Sequence, residues 1–329
     1  MKTGFIGLGN AGGNLAGSLL RNGFDLTVLD LDRTRVDGFV ERGASGAETP
    51  EEIARECELV ITCLPSPEAS ALVLEGRNGV LAALSKGQIW AEMSTTSESE
   101  VLRLGKLVEA LGAHPVDCPV SGGCHRAATG NISIFAGCER TVFERMMPVL
   151  SAMGRRILHT GRLGSASILK VVTNYLATAN LLSICEALAT SKQAGMDLNT
   201  AYEAIRISSG NSFVHETESQ VILNGSRNIN FTMDLVVKDL SLFQEAADRA
   251  GVPLELSPLL LKIFREGERK YGSREWSPNI VRRLEEAIGT SIIADCFPSE
   301  IVDREPEAEG REIVVRRKRN NPDFDFALE

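Results

Sequence analysis

The stretch TGFIGLGNAGG, residues 3–13, decides how the rest of this 329-residue chain is read. An apolar run opening at Thr3 enters a turn spelled GxGxxG by Gly7, Gly9 and Gly12, and helical spacing starts at Asn14. Each glycine meets a separate demand. Gly7 permits the tight turn, Gly9 lets a diphosphate approach the backbone, and Gly12 lets the helix pack on the strand. Unpaired N–H groups at the helix start then face the phosphates. The pattern alone is a weak signal; a strand before it and a helix after it make it specific. Gly7, Leu8, Gly9, Asn10, Ala11 and Gly12 are therefore expected to hold a dinucleotide.

The next apolar run, LTVLD (26–30), ends on Asp30, 18 residues beyond Gly12. An acid there accepts hydrogen bonds from the adenosine ribose hydroxyls and repels a 2′-phosphate. Asp32 is the competing candidate, but Asp30 better fits the strand's end; NAD is expected in preference to NADP, with Arg33 and Arg35 close enough to soften the choice. Further strand-like runs follow at 59–64, 88–93, 114–120, 132–137 and 155–161, with helical spacing at 97–111 and 139–150. Strands alternating with helices imply βαβ units and a doubly wound parallel sheet. After Gly164 the period is helical almost throughout, to about Ala287. The expected architecture is α/β: a Rossmann-type NAD-binding domain over 1–162, an all-helical domain over 163–290, and a charged tail over 291–329. The tail's composition predicts a solvated segment. The alternative is an arm that packs on a neighbouring subunit through Ile313–Val315 and Phe324–Phe326.

Composition excludes several roles. Hydrophobic residues make up 43% of the chain, enough for a sizeable core, and the net charge of −9 disfavours nucleic-acid binding. No run reaches the roughly 18 uninterrupted apolar residues of a membrane span; SASILKVVTNYLATANLLSIC (165–185) comes nearest, and Asn174 and Asn180 interrupt it. The glycine-rich start does not read as a secretory signal. Seven cysteines without a CxxC read as reduced thiols in a cytoplasmic protein. The four histidines show no metal-ligand spacing, so no metal is expected.

Two further stretches carry chemistry. DCPVSGGCHRAATG (117–130) begins as a strand and ends in glycines. It would present the Ser121 hydroxyl and the N–H groups of Gly122 and Gly123 at the sheet's carboxyl edge, where open α/β sheets bind ligands. The other stretch is the apolar helix at 165–185, whose one charged residue is Lys170. An ammonium buried there has a depressed pKa or a function. Asn174 lies four residues on and shares its helix face. In hydride transfer an amine can take the carbinol proton and stabilise the developing alkoxide, while a carboxamide holds an oxygen.

In order along residues 1–290, the motifs GFIGLGNAG, TCLPSP, EMSTTS, DCPVSGG, GRLGSASILKVVTN, EALATSKQAGMD, SSGNS and FTMDLVVKDL give the chain a close likeness to one family. It resembles the β-hydroxyacid dehydrogenases, related to 3-hydroxyisobutyrate dehydrogenase and tartronate semialdehyde reductase. The resemblance implies that Lys170 is the catalytic acid/base and Asn174 a substrate ligand, with Ser121, Gly122 and Gly123 binding the substrate's carboxylate. It implies that Leu64 and Pro65 line the cofactor, that Thr95 lies near its nicotinamide end, and that Lys238 closes over the cleft. It also implies a homodimer or homotetramer. The expected reaction is reversible NAD-dependent oxidation of a small anionic 3-hydroxy acid, such as 3-hydroxyisobutyrate, to its semialdehyde. The alternatives are an NADPH-dependent semialdehyde or imine reductase of the same fold, an oxidative decarboxylase, and a non-catalytic nucleotide-binding member. Ala177 and Thr173 stand where the decarboxylating class carries Glu and His, and imine reductases commonly replace the lysine.

The departures are as telling. Ala11 replaces the usual methionine of the first turn, and Cys118 the usual alanine before Pro119-Val120-Ser121. His125 and Arg126 stand where the family generally carries small residues. Either they face solvent at a helix start, or one of them contacts the substrate's distal end or guards the entrance. Phe213 is expected to form a wall of the pocket.

Overall fold

The computed structural model describes residues 1–315. Its first part is a repeating strand–helix chain: β1 (Thr3–Ile6), α1 (Gly12–Arg21), β2 (Leu26–Leu29), α2 (Arg33–Val40), β3 (Ser45–Gly46), α3 (Pro50–Glu56), β4 (Leu59–Thr62), α4 (Pro67–Glu75), β5 (Ile89–Glu92), α5 (Glu98–Ala110), β6 (His114–Asp117), β7 (Val120–Ser121), α6 (Cys124–Ala128), β8 (Ile132–Gly137), α7 (Arg140–Met153) and β9 (Gly154–Gly161). Local chemistry starts most of these helices: Asp32, Thr49, Ser66 and Ser97 each cap a helix with a side-chain oxygen, and prolines 50 and 67 follow two of the caps.

The strands form one sheet in the order β10-β9-β8-β6-β5-β4-β1-β2-β3, with β7 paired to β8; β10 (Arg311–Glu312) comes from the tail. From β3 to β6 every pairing is parallel, and the pairings of β8 with β6 and β7 are antiparallel. The strand order reverses between β1 and β4. A crevice opens outside the carboxyl ends of such strands, where α/β folds bind their ligands. Continuous burial of β1, β4 and β5 fits strands covered on both faces. Trp90 is fully buried, and its indole N–H donates to Thr62 Oγ1 at 3.0 Å. Burying such side chains contributes about 1.5–3 kcal/mol each.

The second part is helical. α8 (Ser165–Gln193) is surrounded by α9 (Leu198–Arg206), α10 (Phe213–Asn224), α11 (Met233–Arg249), α12 (Leu256–Tyr271) and α13 (Arg282–Ile288), and its first turns also touch β6, β8 and β9. α8 is long and apolar enough to cross a membrane by length and composition. Its apolar residues Leu181, Leu182, Cys185 and Leu188 are instead buried in the core of the helical part.

Most described residues of the tail are exposed, as its composition predicts, yet part of it is docked. Residues 303–313 lie along the chain's own sheet-bearing part. β10 pairs in parallel with β9, and the Ile313 N–H donates to the Ile157 carbonyl at 2.7 Å. Asp303 accepts from Thr129 Oγ1 at 2.5 Å and Asn131 Nδ2 at 2.8 Å, while Glu305 pairs with Arg155 and Glu312 with Arg140. Gly310 is pressed so closely on the Gly154 carbonyl that a Cβ would lie 2.0 Å from it. Composition registers the tail's charges but not the open edge of β9 that they flank, and an open edge invites a strand. Val314 and Val315 remain exposed, and Phe324–Phe326 lie outside the described residues. Replacing Asp303 with Ala should cost about 1–2 kcal/mol through the lost bonds to Thr129 and Asn131. Thermal unfolding should show a Tm lower by a few degrees; an unchanged Tm would place the strap outside the cooperative unit.

Candidate active site

The turn after β1 has the shape a dinucleotide needs. Gly7 has φ +99°, and a Cβ there would lie 2.3 Å from the Cys63 carbonyl oxygen. At Gly12 a Cβ would lie 2.0 Å from the Gly7 carbonyl oxygen. Gly9 differs: a side chain there would meet only the Arg35 guanidinium, at 3.6 Å, so protein packing does not demand glycine. Close approach of a ligand would. α1 begins with no side-chain cap, unlike α2 to α5, and with no acid in its first turn; the Gly13 N–H donates to the Gly9 carbonyl at 2.8 Å, and the Gly12 N–H just before it is available to a phosphate oxygen. Leu8, Gly9 and Asn10 also line a surface hollow with Arg35 and Arg42. Asp30 is fixed by two backbone donors, Leu8 N–H at 2.6 Å and Asp32 N–H at 2.8 Å. Each carboxylate oxygen keeps a lone pair for a ribose hydroxyl. These residues fit a bound NAD(P).

Leu64 and Pro65 follow β4, and Thr95 follows β5, on the same carboxyl edge. The Leu64 N–H donates to Ser94 Oγ at 2.7 Å. Lys238, on α11, reaches across and donates from Nζ to the Thr95 carbonyl at 3.0 Å. It thereby ties the helical part to the sheet edge.

Beside this edge is a cavity of about 430 Å³ lined by Ser121, Gly122, Gly123, Lys170, Asn174 and Phe213, among others. Gly122 (φ +125°) and Gly123 (φ +87°) occupy backbone conformations that favour glycine. Lys170 is 8% exposed, and burial pulls its pKa down to about 8, with Lys238 adding to the effect and Asp239 opposing it. Lys170 Nζ donates to Asn174 Oδ1 at 2.7 Å, and Asn174 Nδ2 donates to Asp239 Oδ2 at 2.5 Å. Asp239 Oδ1 lies 3.2 Å from Lys238 Nζ but makes no aligned hydrogen bond.

His125 and Arg126 do not simply face solvent: both line this cavity. The Arg126 guanidinium lies over the Phe213 ring, 4.8 Å from its centroid, and the His125 ring stacks near the same phenyl at 6.3 Å.

Sequence reading missed three carboxyl groups. Asp239 comes from α11, 65 positions beyond Asn174, and the available signal was its place next to Lys238. Asp117, an acid ending an apolar strand, is fully buried and accepts from Gly164 N–H at 2.9 Å and Ser167 N–H at 2.8 Å, capping α8 from outside the helix. Burial raises its pKa to about 7 against these two donors. Glu218, on α10, also lines the cavity; burial pushes its pKa up to about 8, and its Oε2 has no partner among the described residues. No sequence signal marked it.

Residues 2–161 match the model of the NAD binding domain of 6-phosphogluconate dehydrogenase. Residues 164–284 match that described as NAD-binding of NADP-dependent 3-hydroxyisobutyrate dehydrogenase. The chain is 34% identical over 293 residues to 2-(hydroxymethyl)glutarate dehydrogenase of Eubacterium barkeri, covering 89% of this chain and 97% of that protein. The chain is a member of the β-hydroxyacid dehydrogenase family. Rat mitochondrial 3-hydroxyisobutyrate dehydrogenase is 32% identical to this dehydrogenase over 269 residues, 80% of each chain. The crystal structure of a 3-hydroxyisobutyrate dehydrogenase from Salmonella typhimurium superposes with a TM-score of 0.79 at 26% identity, over 86% of this chain and 99% of that one. The protein is thus an NAD(P)-dependent oxidoreductase acting on a CH–OH group.

Truncating Asp117 in this dehydrogenase strands two buried N–H groups at the start of α8. Asp117→Ala should cost about 2–3 kcal/mol in denaturant unfolding and lower kcat/KM by displacing Lys170. A variant with wild-type stability and turnover would show that α8 needs no clamp.

Proposed function

We propose that this dehydrogenase oxidises a small 3-hydroxy acid to its semialdehyde, reversibly and with NAD, using Lys170 as the general acid/base. The observation that carries this reading is the hydrogen-bonded pair of buried Lys170 and half-buried Asn174, backed by Asp239, in the cavity that also holds Ser121, Gly122 and Gly123. The relatives named above act on 3-hydroxyisobutyrate and 2-(hydroxymethyl)glutarate by their names. Both compounds are 3-hydroxy acids that differ in the substituent at C2.

Ser121 Oγ and the N–H groups of Gly122 and Gly123 receive the substrate's carboxylate. Asn174, turned by Asp239, holds the hydroxyl oxygen beside Lys170. Neutral Lys170 takes the hydroxyl proton as the carbinol C–H bond breaks; in the reverse direction its ammonium returns that proton to the carbonyl oxygen. When bound, the nicotinamide supplies hydride acceptance from that carbon. Lys238, Thr95, Leu64 and Pro65 shape the space between the two ligands, and Lys238 holds the parts of the chain together across it. Proton transfer of this kind typically contributes 10²–10⁴-fold.

NAD preference follows from Asp30, whose charge stands where a 2′-phosphate would lie. Of the two arginines nearby, Arg33 pairs with Asp37 and Glu48, and Arg35 pairs with Asp32 at 3.3 Å and more loosely with Asp30 itself at 4.0 Å, so Arg35 is the residue that would soften the preference. Seven free cysteines suit a reducing compartment such as the cytoplasm, and a homodimer or homotetramer is the assembly proposed.

A Lys170 titrating near 8 sets the pH dependence. Below that value the base is protonated, so kcat/KM for oxidation should rise about tenfold per pH unit and level off above it. Lys170→Met should lower turnover by at least a hundredfold, with NADH binding retained in a fluorescence titration. Near-full turnover in that variant would refute the assignment. Asp30→Ser should shift the NAD to NADP ratio of kcat/KM towards NADP by tenfold or more; wild-type enzyme already preferring NADP would overturn the role given to Asp30.

A further inference from the structure

Among the described residues, Arg126 is a cation without a carboxylate partner. It lies in α6, directly after the Ser121–Gly123 loop, and its side chain runs along that loop: a Cβ at Gly122 would lie 3.4 Å from Arg126 Cδ. Its guanidinium covers Phe213, which opens α10 in the helical part, so the two residues meet within the cavity that holds Lys170. The acid whose field reaches it is Asp303, whose carboxylate bonds to other groups and forms no ion pair with it. Asp303 Oδ2 accepts from Thr129 and Asn131, and Oδ1 accepts from the Glu305 N–H. Among the described residues no ion pair engages Arg126.

A substrate with one carboxylate does not need this cation. The Ser121 hydroxyl and the glycine N–H groups serve that anion, and Lys170 serves the hydroxyl. A monoanion would leave a half-buried guanidinium facing a phenyl ring. Arg presents paired donors that match a carboxylate, and such charge-assisted pairs are stronger than neutral hydrogen bonds. The rest of the lining does not oppose a second negative charge. His125 has its pKa lowered by burial and by Arg126. Glu218 is pushed up to about 8 and is mostly protonated at neutral pH. The remaining polar lining includes Ser133, Thr178, Asn180 and Asn230, none of them charged.

We infer that the cavity selects dianionic substrates: 3-hydroxy acids whose C2 substituent ends in a second carboxylate, which Arg126 holds against the Phe213 wall. The inference rests on the dehydrogenase reading of the same site. Arg126 is then a specificity residue that touches the substrate away from the reacting carbon, and the departure at 125–126 from the family's small residues has a purpose.

The test uses the full chain with NAD. kcat/KM is measured for 3-hydroxyisobutyrate as the monoanion, and for 2-(hydroxymethyl)succinate and 2-(hydroxymethyl)glutarate as dianions. Wild-type enzyme, Arg126→Met and Arg126→Lys are compared after their Tm values confirm folding. Wild type should prefer a dianion. The dianion to monoanion ratio of kcat/KM should fall roughly ten- to hundredfold in Arg126→Met, the loss of a hydrogen-bonded charge, and recover in part in Arg126→Lys. Added salt should raise KM for the dianions more than for the monoanion. A ratio unchanged in Arg126→Met, because both classes lose activity equally or neither does, would overturn the inference while leaving the dehydrogenase reading intact. Wild-type enzyme oxidising none of the three acids with NAD or NADP would overturn both.

Discussion

The carboxylate of Asp117 is the interaction on which the site's geometry depends. It stands at the end of β6, sealed from water, and takes the N–H groups of Gly164 and Ser167 at the start of α8. A helix start needs partners for its first donors, and α8 has no side-chain cap of its own. The cap comes from the sheet, so the first turn of the helix is fixed to the strand that leads into the Ser121–Gly123 loop. Lys170 lies five residues past Ser165, about 7.5 Å along the axis at 1.5 Å per residue. The Ser121–Gly123 loop and the amine are thus set in register by one buried group. The fit leaves no slack: at Gly137 a Cβ would come within 2.3 Å of Asp117 Oδ1. The cost appears in the acid's own pKa, which burial raises to about 7 although two donors pull it down.

The same competition between burial and partners governs the amine. Burial favours neutral Lys170, and a close carboxylate would keep it charged. Asp239 supplies that carboxylate, but Asn174 stands between, accepting from Lys170 and donating to Asp239. The lysine is held in place without a direct ion pair, and its pKa settles near 8. The general base proposed for this site works best when its pKa lies near the operating pH, and inserting an amide between the two charges is one way to place it there. The second end of Asp239 faces Lys238, which bonds to Thr95. A chain of polar contacts therefore runs from the amine to the cofactor edge of the sheet, joining the two parts of the molecule.

Much of this was legible in the chain. The glycine turn, Asp30, the strand–helix alternation and the change to helical period at Gly164 each rest on local rules of spacing, which neighbouring residues obey without reference to the rest of the fold. Lys170 stood out because a cation in an apolar helix breaks such a rule. What was illegible depended on distant segments. Asp239 meets Asn174 across 65 positions, Asp117 caps a helix 47 positions away, and the tail finds the edge of β9 about 155 positions back. In each case the residue's own surroundings in sequence carry no sign of its partner. The tail shows this most plainly, since its charges read as solvated until the basic residues at 21, 140 and 155 are seen beside them.

By itself the sequence determined the strand–helix alternation, the change to helices after Gly164, the dinucleotide turn and the isolation of Lys170, because periodicity, glycine geometry and burial of charge are local properties. Only the tertiary structure decided that Lys170 would be tuned through an amide by Asp239, and that Arg126 would lie over Phe213 from another part of the chain. Those outcomes follow from how α6, α8, α10 and α11 converge on one cavity, and convergence of that kind is a property of packing.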